Sequence, residues 1–142
     1  MIVAVLDTNV FVSAFPAQGT VPATLIDAWR QGVYHLVVSE PILEELAETW
    51  RDPYWEARFS PTDSAAAITL LRTAAIMTPL TVEVTGVATH PEDDLILATA
   101  VASGAAYLVT GDRKLRAVGS YQSIALLSPR EFLERLNEPR PA

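Results

Sequence analysis

The sequence predicts a single α/β domain, with a central parallel β-sheet of about four to five strands flanked by helices on both faces. Three observations carry this. Short, uniformly apolar runs recur at Ile2–Leu6, Tyr34–Val38 and Ala105–Val109, the pattern of strands buried on both faces. Segments of helical period lie between them, with capping residues at the joints. Four carboxylates, Asp7, Glu45, Asp94 and Asp112, follow shortly after an apolar run or open an apolar helix. In an open parallel sheet the carboxyl ends of the strands share one edge, where ligand sites form.

Taken in order, Ile2–Leu6 is the first strand, and Asp7, Thr8 and Asn9 supply capping side chains for a short helix that begins at Val10. Residues 17–20 read as a loop. A second helix spans residues 21–31, with Pro22 in its first turn and Gly32 at its end. Tyr34–Val38 is the next strand, closed by Ser39 as the N-cap of a helix from Glu40 to Trp50. After a connection containing Pro53, Ser60 and Pro61 open an alanine- and leucine-rich helix that runs to Met77 and is stopped by Pro79. Leu80–Val84 reads as a short strand and Thr85–Pro91 as a loop, with Pro91 at the first position of the following helix. Leu95–Ala102 is apolar on every side, which marks a buried helix ended by Gly104. Residues 105–109 and Ser123–Leu127 are the remaining strands. Ser128, Pro129 and Glu131 then open a terminal helix with a capping-box pattern. No repeat or linker divides the chain, so residues 1–137 form one domain and residues 138–142 a short tail.

Half of the 142 residues are apolar and 19% are charged, the balance of a globular chain. No apolar run approaches the ~18–20 residues of a membrane span, and no charged segment precedes the N-terminal apolar stretch. The expectation is a cytoplasmic protein with no membrane partner. The absence of cysteine excludes disulfides and thiolate metal sites, and two histidines argue against zinc. The formal net charge is −7, and the ten basic residues form no dense run. A plain nucleic-acid binder shows a basic stripe, so two readings follow: bound metal reverses the local charge at the acidic pocket, or the protein does not bind nucleic acid at all.

Each acid has an ordinary explanation as well. Asp7 suits an N-cap and Asp112 a turn in Thr110-Gly111-Asp112. On the helix from Glu40, the apolar face is Ile42, Leu43, Leu46, Ala47 and Trp50; Glu44 and Glu45 flank it on opposite sides and Glu48 points away. Periodicity leaves Glu44 and Glu45 tied. Asp94 sits in the first turn of a helix apolar all round, where the dipole favours a carboxylate by ~0.3–1 kcal/mol; Glu92 and Asp93 read as capping and solvation. What raises the set above its members is that all four fall on one sheet edge. Clustered carboxylates raise one another's pKa values, and oxygen-only ligation of Mg²⁺ or Mn²⁺ relieves that repulsion.

Leu6-Asp7-Thr8-Asn9-Val10, the segment from Ser39 to Glu45, Asp93-Asp94 before an apolar helix, and the run from Ala105 to Asp112 together resemble the PIN-domain ribonucleases. The likeness covers nearly the whole chain and is greatest to the bacterial VapC-like toxin group of toxin–antitoxin pairs. It implies that Asp7, Glu45, Asp94 and Asp112 are the metal-binding and catalytic quartet, with the Ser39 spacing selecting Glu45 over Glu44. Thr8, Asn9, Asp93 and Thr110 become supporting groups. Lys114 departs from the pattern, standing where relatives often carry a further acid; this removes one peripheral carboxylate, leaves the quartet intact and offers a group suited to a phosphate.

The resemblance implies Mg²⁺- or Mn²⁺-dependent hydrolysis of RNA, leaving a 5′-phosphate and a 3′-hydroxyl. The alternative is a catalytically weak or inactive PIN-like binding or regulatory module. A phosphohydrolase using an aspartyl-phosphate ranks below both, because Asn9 breaks the DxD that it needs. No nucleophile elbow, P-loop or GxGxxG pattern is present, and His35 and His90 read as structural. Trp50, Tyr54 and Trp55, near Arg51 and Arg58, read either as a helical-hairpin core or as a rim for RNA or a partner helix. Arg51, Arg58, Arg113 and Lys114 are candidate substrate contacts. Expected partners are RNA, a second copy of the chain and a cognate antitoxin.

Overall fold

The computed structural model describes residues 1–88 and 91–139, the Glu92 side chain excepted. The tertiary scaffold begins with β1 (Val3–Leu6), whose Ala4, Val5 and Leu6 are fully buried. It is followed by α1 (Thr8–Ala14), α2 (Val21–Arg30), β2 (His35–Val38), α3 (Glu40–Trp50), α4 (Pro53–Glu56) and α5 (Pro61–Ala74). Then come β3 (Ile76–Met77), α6 (Pro91–Ser103), β4 (Tyr107–Val109), α7 (Arg113–Arg116), β5 (Ser120–Tyr121), β6 (Ile124–Leu127) and α8 (Pro129–Asn137). The strands form one six-stranded sheet in the order β3-β2-β1-β4-β6-β5, parallel except for the antiparallel β5–β6 pair.

The strand order reverses direction at β1, with β2 paired on one side and β4 on the other. This topological switch point is where the carboxyl ends of an open sheet leave a crevice. The β1–β4 register ends with Leu6 opposite Val109, and the next amide, Asp7 N–H, donates to Val109 O at 2.8 Å. Asp7 and Thr110 therefore emerge side by side. Helix α6 packs across β1, β2 and β4, while α1 packs on α2 and α3, α3 on α5, and α2 on α8. The fully buried Tyr34 and Phe132 meet edge to face at 5.1 Å, and the Tyr34 hydroxyl donates to Leu25 O at 2.8 Å.

The sheet has six strands rather than the expected four to five because two edge strands of two residues each extend it. The strand expected over Leu80–Val84 is absent; the edge beside β2 is taken instead by Ile76 and Met77, opposite Val37 and Val38. Helix α5 ends at Ala74 rather than Met77, since Ala75 is already extended and Thr78 N–H donates to Val38 O. The alternation in 80–84 mimics a half-buried strand, but it is β3 that pairs with β2. Helices α4 and α7, of four residues each, were too short for periodicity to reveal. The loop expected over 85–91 and the reading of His90 fall partly or wholly outside the described residues, as does the end of the tail.

Ser39 occupies the N-cap position of α3 but makes no side-chain cap bond. Its hydroxyl instead bonds the Thr99 hydroxyl at 2.8 Å, both groups being fully buried, and so ties the start of α3 to α6. The last expected strand starts at Ile124, not Ser123, because Gln122 and Ser123 form the two-residue β5–β6 turn with φ of 47° and 69°. Such a turn favours Asn or Gly at these positions. Ser123→Gly should raise the melting temperature by ~2–4 °C, the response to ~1 kcal/mol in a chain of about this length. An unchanged or lowered melting curve would show that the turn is not strained.

Candidate functional site

Asp7 is the centre of the site. Although it precedes α1 at the N-cap position, its side chain makes no capping hydrogen bond of the usual kind. The side chain is 4% exposed, and Oδ2 accepts the Thr110 hydroxyl at 2.7 Å. Burial pushes its carboxyl above the ordinary value of 3.8, and the charges of Glu45 and Asp112 push in the same direction. The Thr110 hydroxyl and the Thr8 backbone oppose this shift, both being neutral donors.

Glu45 reaches the site from α3, on the β2 side, where its Oε2 accepts the Thr8 hydroxyl at 3.3 Å. Asp112 reaches it from the end of β4. Thr110 accepts the Asp112 N–H at 3.0 Å while donating to Asp7, so one fully buried hydroxyl sets the spacing of two acids. Asp112 also does the ordinary work read for it: Oδ1 caps α7, accepting Lys114 N–H at 2.8 Å and Leu115 N–H at 3.4 Å. Neither cap bond uses Oδ2.

The structure thus brings Asp7, Glu45 and Asp112 into one electrostatic unit. Asp94 is buried on α6, but its carboxylate is directed to a loop, where it accepts Gly86 N–H at 3.1 Å and Ala88 N–H at 2.8 Å. It does not figure among the charges acting on Asp7. Among the described residues, no three of His, Cys, Asp and Glu are gathered closely enough to hold a metal ion. The donor chemistry nevertheless fits a hard divalent cation: three carboxylates, a buried acid disfavoured as an anion, and only oxygen ligands.

Among the supporting residues, Thr8 and Thr110 are buried at the site, Asn9 is exposed on α1, and Asp93 is partly buried beside Asp94. Glu44 lines a groove between α3 and α5 with Glu48, Arg51 and Arg72, away from Asp7, and Arg72 pairs with Glu40. Arg51 therefore belongs to that groove. The Arg58 guanidinium lies 3.6 Å from the centre of the exposed Tyr54 ring. Trp50 is core, edge to face with Phe15 at 5.8 Å and 4.9 Å from Phe59. Arg113 and Lys114 are exposed on α7, directly after Asp112. The sequence reading missed the Gly86 and Ala88 amides that hold Asp94, and no side-chain pattern signals a backbone donor.

Fold and site together define an open parallel α/β protein with an acidic centre at its switch point. The profile of the PIN domain matches residues 3–114, most of the chain, and the protein belongs to the PIN domain family. Such domains are in general nucleases that use divalent metal ions. Among solved structures, VapBC2 from Rickettsia felis, crystallised with a DNA fragment from its promoter, shares the fold with a TM-score of 0.62. It is 16% identical, and the match covers 89% of this chain and 98% of that one. PAE2754 from Pyrobaculum aerophilum aligns with a TM-score of 0.61 at 17% identity, over 95% of this chain and 89% of that one. Comparison with curated proteins found no match. Among the described residues no helix is long and apolar enough to cross a membrane.

Proposed function

We propose that the protein is a metal-dependent endoribonuclease that hydrolyses RNA phosphodiester bonds, acting as the toxin of a toxin–antitoxin pair. The observation that carries this reading is the buried Asp7, under the fields of Glu45 and Asp112 and opposed by neutral donors. Asp7, Glu45 and Asp112 would hold Mg²⁺ or Mn²⁺, and Asp94 would serve as a fourth donor only on release from the Gly86 and Ala88 amides. A cation bound there supplies an activated water and charge stabilisation for phosphodiester hydrolysis. The protein's own part is orientation: Thr110 fixes Asp7 against Asp112, and Thr8 holds Glu45. Lys114 and Arg113, exposed beside Asp112, offer positive charge to substrate phosphates.

The toxin role rests on sequence likeness to the VapC-like group, and the fold shared with VapBC2 supports it. It brings with it a cognate antitoxin and a homodimer. Helix α5 offers a surface for either, burying only Ala67 and Leu71. The retention of Asp94 by loop amides favours a second reading, a catalytically weak PIN module that binds nucleic acid without cutting it.

Cleavage of a panel of single-stranded RNAs with Mn²⁺ separates the two. Glu45→Gln should lower the rate by about ten- to a hundredfold, as expected for disturbing a metal's coordinating environment. Glu44→Gln, in the α3–α5 groove, should leave it unchanged. Equal loss in both variants would sink the assignment of Glu45. No metal-dependent cleavage in the wild type would favour the binding module.

A further inference from the structure

The acidic centre is continued on its Asp112 side by a cleft that the sequence did not suggest. Its volume is about 440 Å³, and it is lined by Asn9, Val10, Ser13, Pro22, Gly111, Asp112 and Pro129. That size lies within the ~300–1,000 Å³ range of small-molecule pockets. Asn9 and Ser13 stand one turn apart on α1 and so share a face. Both are exposed, and neither side chain makes a hydrogen bond among the described residues. Pro22 and Pro129, in the first turns of α2 and α8, add rigid apolar walls.

Charge along the chain is segregated around this cleft. Residues 1–112 carry four basic and fourteen acidic side chains, whereas residues 113–142 carry six basic and three acidic. The chain's negative balance therefore lies in the part that carries Asp7, Glu45 and Asp94, and the C-terminal part is net positive. Two walls of the cleft run directly into this basic part: Asp112 into Arg113 and Lys114, and Pro129 into Arg130, all three exposed. Arg116 Nη1 lies 3.9 Å from Glu131 Oε1, which holds α7 beside the start of α8.

We infer that this cleft is a nucleotide subsite, receiving one nucleoside of a single-stranded RNA next to the bond that is cut. Arg113, Lys114 and Arg130 hold the flanking phosphates. The inference rests on the nuclease reading and extends it. The Asn9 amide, both donor and acceptor, and the Ser13 hydroxyl suit a base edge or a ribose hydroxyl, while the proline rings suit a base face. The strand then runs along the carboxyl edge of the sheet, from the end of β6 past β4 to β1. A protein of charge −7 thereby meets RNA through a local cationic rim.

The test is anisotropy of a labelled single-stranded RNA of about six nucleotides, with Ca²⁺ in place of Mg²⁺. Ser13→Phe, at an exposed position, should fill the cleft and weaken binding about tenfold, the equivalent of losing one stacked base. Asn9→Ala provides a second variant that cannot overfill the site and should weaken binding as well. Lys114→Glu with Arg130→Glu should flatten the dependence of log affinity on log salt by about 0.7 per lost phosphate contact. Arg30→Glu, an equal charge change per site at the far end of α2, should alter affinity less than about twofold, with the salt slope intact.

Wild-type binding by both cleft variants would overturn the subsite, as would an Arg30→Glu effect matching that of the rim. Equal RNA cleavage by wild type and Ser13→Phe would overturn the subsite while leaving the nuclease reading intact. RNA neither bound nor cut by the wild type would overturn both.

Discussion

Asp7→Asn is expected to abolish metal-dependent RNA cleavage while making the metal-free protein more stable. The two effects have one cause. Asp7 is buried beside Glu45 and Asp112, so its ionised form is disfavoured until a cation arrives. Asn retains the size and can still accept the Thr110 hydroxyl, but removes the charge. Mn²⁺ affinity measured by calorimetry should fall by more than about a hundredfold, beyond the usual effect of changing a group behind the ligands. The metal-free melting temperature at neutral pH should rise by ~2–4 °C, the response to ~1 kcal/mol in a chain of about this length. A destabilised Asp7→Asn with unchanged Mn²⁺ affinity would show that Asp7 is a structural group.

The pH dependence follows with a definite sign. A carboxyl whose folded pKa exceeds its unfolded value binds more protons when folded, so stability falls as pH rises between the two values. For Asp7 the window opens near the ordinary 3.8 and closes at the higher folded value. Metal-free wild type should lose this contribution as pH rises through the window and then level off. Asp7→Asn should lack that decline, and saturating Mn²⁺ should remove it from the wild type, since bound metal requires the ionised acid. Melting curves across mildly acidic to neutral pH, with and without Mn²⁺, supply the measurement.

The parts of the fold legible in the sequence are those that identify themselves locally. Strands β1, β2 and β4 come from uniformly apolar runs, β6 from an apolar run buried at alternate positions, and Ser128 with Glu131 forms the reciprocal capping box expected of α8. Strands β3 and β5 exist only through their neighbours: Ile76 and Met77 are both exposed and are strand because Val37 and Val38 lie opposite. Leu80–Val84 carries the better local pattern and pairs with no strand among the described residues. The site divides the same way. Asp7 and Asp112 are legible because each follows its strand, whereas the direction of the Asp94 carboxylate is set by amides of Gly86 and Ala88. The partner of Ser39 lies sixty residues away on α6, so its local reading as a cap was the only one the sequence offered.

Thr110 joins these levels, because it is at once the end of β4 and the joint between two acids. Thr110→Val keeps the shape of the side chain and removes the hydroxyl. Asp7 then loses its side-chain donor, and the Asp112 N–H loses its acceptor. An unpaired buried polar group costs about 1–3 kcal/mol, so the melting temperature should drop clearly. A merely structural residue would do no more than this. If Thr110 positions the acids, the remaining folded protein should also bind Mn²⁺ about ten- to a hundredfold more weakly. The onset of Mn²⁺ binding should move to higher pH, because the lost hydrogen bond is among the interactions that hold the Asp7 pKa down. Thr110→Ser restores the hydroxyl without the methyl group, so it should recover the pH profile even where part of the stability loss remains. Stability and pH profile restored or lost strictly together, across Val and Ser, would instead mark Thr110 as a packing residue whose bonds to the acids are incidental.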